Sequence, residues 1–273
     1  MSRTGGRERE DLMLTTEFTV GRPVWVDVGS NDFAASAGFY RSVFGWEHEP
    51  LPPEAGGYGF FKKDGKTVAA MGPSMGAAPS WGLYFMTDDA EAAAAAVRDA
   101  GGTVREEPMR VFDMGSLAAF ADPSGAGFSV WQPGTVKGLD ALGDPGALCW
   151  TELSTANRDR DKDFYRSLFG WTYFDYPMPD GDGVYTAAST GGENDTHSGL
   201  FQPDGTGADV PGQPSGWTVY FATADCDATA EAISSGGGTL LMKPATMEGA
   251  GRIALAADPQ GAVFAIMANE PTG

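Results

Sequence analysis

In Pro23–Gly29, Val24, Val26 and Val28 alternate with Trp25 and Asp27, the two-residue period of a half-buried strand. The alternation puts Trp25 and Asp27 on one face. Farther on, Phe33, Ala37, Phe39, Tyr40, Val43 and Phe44 recur mainly at three- and four-residue spacing. This predicts an amphipathic helix with Asn31 or Asp32 as N-cap and its end near Gly45. Tyr58–Gly72 reads as a hairpin around Asp64-Gly65, a strong turn pair. Trp81–Thr87 reads as a strand, and the alanine-rich stretch 88–102 as a helix with Asp88 and Asp89 at its start and Gly101-Gly102 at its end. Leu117–Pro123 and Gly127–Trp131 read as two further strands.

The same pattern then repeats. Pro23–Trp46 matches Ala147–Trp171, and the match ends in FYRSVFGW against FYRSLFGW at an offset of 125 positions. Ser80–Val104 pairs with Gly216–Leu240, and Phe120–Gln132, containing ADPSG, pairs with Ala256–Ala268, containing ADPQG. Three blocks in one order imply a duplicated module. The fold class is α+β, two tandem modules, each running strand–helix–strands twice. Gln132–Gly146 is rich in Gly, Pro and Asp, as a linker should be. The expected organisation is a disordered tail over residues 1–17, a first module over 18–138 and a second over 139–273.

The formal charge of −19 repels phosphate backbones and anionic lipid headgroups, which argues against nucleic acid and membrane partners. With only Cys149 and Cys226 there is no disulfide framework. No apolar stretch has signal-peptide or membrane-spanning character. A cytoplasmic location is expected.

The block order, with FYRSVFGW closing the first helix and ADPSG or ADPQG before the last strand, resembles the vicinal oxygen chelate superfamily of glyoxalase I, bleomycin resistance proteins and extradiol dioxygenases. In detail it resembles actinobacterial tandem-module members associated with polyketide antibiotics, the anthracyclines included. The resemblance implies paired βαβββ units with concave mixed sheets. It also implies a divalent metal on the first, fifth and last strands of a catalytic module. Those positions fall on Trp25, Gly82 and Ser129 in the first module and on Trp150, Thr218 and Ala265 in the second. Indole, glycine, alanine and unactivated hydroxyls do not form a catalytic ligand set. No metal and no other cofactor is therefore expected. The two histidines, His48 and His197, fall outside the concave strands and read as solvated loop residues.

Extending the alternation gathers Trp25, Asp27, Tyr84, Met86, Ser129 and Trp131 on one concave face, and Trp150, Glu152, Thr218, Tyr220 and Met267 on the other. Rings with polar tips and a few placed polar groups suit a flat, mostly apolar ligand. A positive amine on it could meet Asp27 or Glu152. Phe112, Met114 and Met247 are candidate gates at the rims. Either the concavities are open pockets or the facing module closes them. The expected function is a metal-free binding protein for an aromatic natural product such as an anthracycline-like antibiotic, in biosynthesis or self-resistance, with a biosynthetic oxygenase as a candidate partner. The alternatives are a metal-independent enzyme (a cyclase, an isomerase or an oxygenase accessory) with Asp27 or Glu152 as base, and a metal-dependent lyase or dioxygenase.

Overall fold

The computed structural model describes residues 14–75, 78–178, 183–202, 216–247 and 249–269. Residues 1–13 of the expected tail lie outside the described residues, whereas Leu14 is buried in the core.

The first module contains β1 (Pro23–Ser30), α1 (Phe33–Phe44), β2 (Glu47–Pro50), β3 (Gly59–Lys63) and β4 (Lys66–Pro73). A second unit follows with β5 (Trp81–Met86), α2 (Ala90–Asp99), β6 (Thr103–Val111), β7 (Gly115–Ala121) and β8 (Gly127–Pro133). Local chemistry sets the bounds. Asp32 caps α1 by accepting from Ala35 N, and Gly45 ends it at φ 74°, where a Cβ would be strained. Asp89 caps α2 through Ala92 N. Asp64 and Gly65, with φ of 51° and 77°, make the expected tight turn between β3 and β4.

The second module repeats this with β9 (Leu148–Ser154), α3 (Arg158–Phe169), β10 (Thr172–Pro177), β11 (Val184–Ser189) and β12 (Thr196–Phe201), then β13 (Gly216–Ala222), α4 (Cys226–Ser235), β14 (Thr239–Met247), β15 (Gly251–Ala257) and β16 (Val263–Ala268). Each module is one eight-stranded sheet, ordered β2-β3-β4-β1-β5-β8-β7-β6 in the first and β10-β11-β12-β9-β13-β16-β15-β14 in the second. The first strands of the two units, β1 and β5, run antiparallel at its centre, with β4 parallel to β1 and β8 parallel to β5.

The helices lie on the convex faces, where the two modules meet, α1 against α4 and α2 against α3. Each first helix reaches across to the other module's sheet. Phe44 of α1 packs on Phe221 of β13 with centroids 5.4 Å apart, and Tyr165 of α3 packs on Phe128 of β8 at 5.4 Å. Burying these rings, Trp46 and Trp171 among them, supplies the main driving force of the fold. The repeated sequence motifs are each other's partners here. Tyr40 of FYRSVFGW donates to Asp258 Oδ2 of ADPQG at 2.9 Å, and Tyr165 of FYRSLFGW donates to Asp122 Oδ2 of ADPSG at 3.0 Å. Each aspartate also accepts two backbone N–H bonds within its own loop, Asp122 from Ser124 and Ala126, Asp258 from Gln260 and Ala262, all at 2.9 Å.

The solvated-loop reading of the histidines is corrected by the structure. His197 lies inside β12 and is fully buried, ring edge toward Trp171 at 5.2 Å. Burial, reinforced by the charge of Arg22, pushes its pKa down to about 3. The short turn Glu193–Asp195 ends just before His197, and β12 begins at once at Thr196, between β9 and β11 and buried along most of its length. His48 is on β2 opposite Phe61, half-buried, with its pKa lowered by burial. Both cysteines are buried and unpaired. Among the described residues no helix is long and apolar enough to cross a membrane.

Candidate functional site

The outward, concave face of each sheet carries a hydrogen-bonded tetrad. Strand alternation brings Trp25 and Asp27 to this face, and the register of β1 with β5 sets Trp25 beside Tyr84 and Asp27 beside Gly82. Trp25 Nε1 donates to Tyr58 Oη at 2.9 Å, Tyr58 Oη to Asp27 Oδ2 at 2.8 Å, and Tyr84 Oη to the same Oδ2 at 2.9 Å. Asp27 is half-buried, and its Oδ1 receives no hydrogen bond from the described residues. It lies over Gly82, where a Cβ would come within 2.5 Å of it.

The second module rebuilds the tetrad one methylene longer. Trp150 Nε1 donates to Tyr185 Oη at 2.9 Å, Tyr185 to Glu152 Oε2 at 3.0 Å and Tyr220 to Glu152 Oε1 at 3.0 Å. Here both carboxylate oxygens are occupied. Tyr185 fits only because residue 199 is glycine, since a Cβ there would overlap its hydroxyl at 1.9 Å.

Burial pushes the Asp27 carboxyl up to about 6, although the two phenol bonds favour its charged form. Glu152 is raised for the same reason. The four phenols are themselves pushed well above the usual tyrosine value by burial and by the adjacent carboxylates, so they remain protonated donors. A carboxyl poised near neutral pH and fixed by two donors can orient a polar group or exchange a proton with one.

Of the residues read from the sequence, Trp25, Asp27, Tyr84, Trp150, Glu152 and Tyr220 meet in the tetrads. Ser129 stands next to Tyr84, and Thr218 next to Glu152. Met86 pairs with Trp131 one step farther along the strands, but the Trp131 indole is tied to Val136 O at 3.0 Å and is almost wholly buried. Met86 and Met267 instead line two shallow recesses at the strand ends, about 420 and 270 Å³ in volume. Phe112, 57% exposed, and Met114 sit at the tip of the β6–β7 hairpin, and Met247, 40% exposed, ends β14. These outer hairpins lie beyond β8 and β16, on the far side of β5 and β13 from the other strands that carry the tetrads.

Tyr58 and Tyr185 were not among the candidates. Their offset is 127 rather than 125, because the connection after the first helix is two residues longer in the second module, so the aligned blocks stop short of them. The facing module closes neither concavity, since the modules meet through their convex faces.

Residues 24–131 match a glyoxalase-like domain, and residues 148–266 match the Glyoxalase/Bleomycin resistance protein/Dioxygenase superfamily. The chain belongs to this superfamily, as a tandem two-module member. Among its relatives is the anthracycline biosynthesis protein DnrV of Streptomyces peucetius, 38% identical over 270 residues covering 92% of this chain and 94% of the relative. A Mycobacterium tuberculosis protein that carries a glyoxylase name is 33% identical over 263 residues, 94% of this chain and 98% of its own. Among solved structures, the 2,3-dioxygenase LapB from Pseudomonas aligns with a TM-score of 0.63 at 16% identity over 93% of both chains, a likeness of fold.

The divalent metal of the superfamily's enzymes does not fit the donors present. Each concave face offers one carboxylate, and the phenols beside it stay protonated and donate to it, leaving only neutral phenol oxygens, which are poor ligands for a divalent cation. Among the described residues no three His, Cys, Asp or Glu side chains come together.

Proposed function

We propose that the protein binds an aromatic small molecule, of the anthracycline or related polyketide type, without a metal, and serves antibiotic biosynthesis or self-protection. The observation that carries this reading is the tetrad: an indole and two phenols arranged about a carboxylate on an outward concave face, in the place where the superfamily's enzymes hold their metal. The half-buried rings of Tyr58, Tyr84, Trp150 and Tyr185 offer stacking area, and the fixed carboxylate offers orientation. The relationship to DnrV supports the ligand class. Titration of intrinsic tryptophan fluorescence with daunorubicin and its aglycone tests it, since Trp25 and Trp150 sit in the tetrads. Saturable quenching is expected, and its absence for every member of a polyketide panel would sink the reading.

A second reading, a metal-independent enzyme such as a cyclase, an isomerase or an oxygenase accessory, rests on the Asp27 carboxyl near 6, a value suited to a general base. Asp27→Asn and Glu152→Gln separate the two. Loss of turnover with retained binding in a pathway assay favours the enzyme, and unchanged turnover removes it.

A further inference from the structure

The two concave faces share a tetrad but differ beside it. In the first module the row next to Asp27 is bare. Gly82 lies opposite Asp27, and the β5–β8 register, carried two residues back from the Tyr84–Ser129 pair, sets Gly127 beside Gly82. Ala119 of β7 pairs with Ser129, and both are half-buried. Over Gly127 lies the guanidinium of Arg105, with Nη1 only 2.9 Å from where a Cβ would stand. Arg105 is exposed and donates to Gly125 O at 3.0 Å, and among the described residues it enters no ion pair. A carboxylate oxygen with an open valence thus looks across two glycines toward a guanidinium with donors to spare.

The equivalent row of the second module is filled. At the offset of 136 positions that relates Ser80–Val104 to Gly216–Leu240, Gly82 becomes Thr218, Ala119 Leu255, Gly127 Val263, Ser129 Ala265 and Arg105 Leu241. Leu255 and Ala265 are 5% and 0% exposed and form, with Tyr220 and Cys149, a hydrophobic cluster on which Leu241 and Val263 pack. Each oxygen of Glu152 already carries one phenol there. Such a face leaves no floor space beside its acid and, among the described residues, places no guanidinium across from it.

From this asymmetry, and resting on the ligand-binding reading above, we propose that the ligand site belongs to the first module alone. It takes a flat ring system that presents, on one edge, a hydroxyl or amine donor to Asp27 Oδ1 and, beside it, a carbonyl or ionised oxygen to Arg105. The second module's tetrad is a structural counterpart. Glycine at 82 and 127 lets the ring plane approach the sheet, and the charge pair sets its orientation.

Calorimetric titration with alizarin, a dihydroxyanthraquinone with a hydroxyl next to its ring ketone, tests the assignment, and daunorubicin serves as a second probe. The intact chain is expected to bind one alizarin. The double variant Arg105→Leu with Gly127→Val copies the residues that the twin module carries at these positions, and it should lose affinity roughly tenfold or more. Val263→Ala in the second module should leave affinity within about twofold. Arg105→Ala, at an exposed strand position, gives the same comparison should the double variant fail to fold. Two alizarin molecules per chain, or affinity retained by both the double variant and Arg105→Ala, would overturn the single-site assignment and leave ligand binding in place. No saturable binding of either probe to the intact chain would overturn both.

Discussion

The hydroxyl of Tyr40 lies 2.9 Å from Oδ2 of Asp258, and both residues are buried at the junction of the modules. A neutral donor lost from a buried carboxylate costs more than an ordinary hydrogen bond, because the remaining charge has no water to turn to. Tyr40→Phe is expected to destabilise the chain by about 2 kcal/mol in urea unfolding, and Tyr165→Phe, facing Asp122, by a similar amount. The two contacts are separate, so the double variant should sum them. A change near zero for both would mean that ring packing alone holds the junction.

His197 should make the protein acid-labile. Its folded pKa of about 3 lies below the unfolded value of 6.5, so below pH 6.5 the unfolded chain takes up a proton that the native chain refuses. Stability therefore falls as the pH drops from 6.5 towards 3, by up to about 1.4 kcal/mol per pH unit from this group. His197→Phe, which keeps a ring against Trp171, is expected to flatten that slope. An unchanged pH profile of chemical unfolding would refute it.

The Asp27 carboxyl is expected to titrate near pH 6 by carbon-detected NMR. Tyr84→Phe removes a donor that favours the charged form, so the midpoint should rise in that variant. A downward shift would contradict the hydrogen-bond assignment.

Gly199→Ala places a methyl group against the Tyr185 hydroxyl and 3.1 Å from Trp150 Nε1. The expected cost is about 1–3 kcal/mol, read as a lower thermal midpoint. In the first module Gly82→Ala would push on Asp27 Oδ1 in the same way, and we expect it to weaken ligand binding more than stability.

Much of this was legible in the sequence, for definite reasons. A period of two put Trp25 with Asp27 and Trp150 with Glu152, and the repeat made the coincidence visible. Tyr84 and Tyr220 followed from the same alternation on the fifth strand. Tyr58 and Tyr185 were hidden because they reach the site from the residue just before β3 and from β11, behind connections of unequal length, so neither periodicity nor block alignment points to them. His197 was misread because β12 runs between two other strands with Thr196, His197 and Ser198 all buried, so it lacks the polar alternation that marks a half-exposed strand. The filling of the second concave face was present as Leu241, Leu255 and Val263, but those residues become a cluster only once the sheet sets them side by side.

The exchanged tyrosine–aspartate contacts bear on how such a duplicated chain can drift. A substitution on the convex side is answerable to the sister copy, which must accommodate it through α1 or α3, so that wall is held in common. The outward faces have no such witness. Two halves descended from one ancestor can thus remain mechanically twinned while their free surfaces part ways, one left bare beside its acid and the other sealed with leucine and valine.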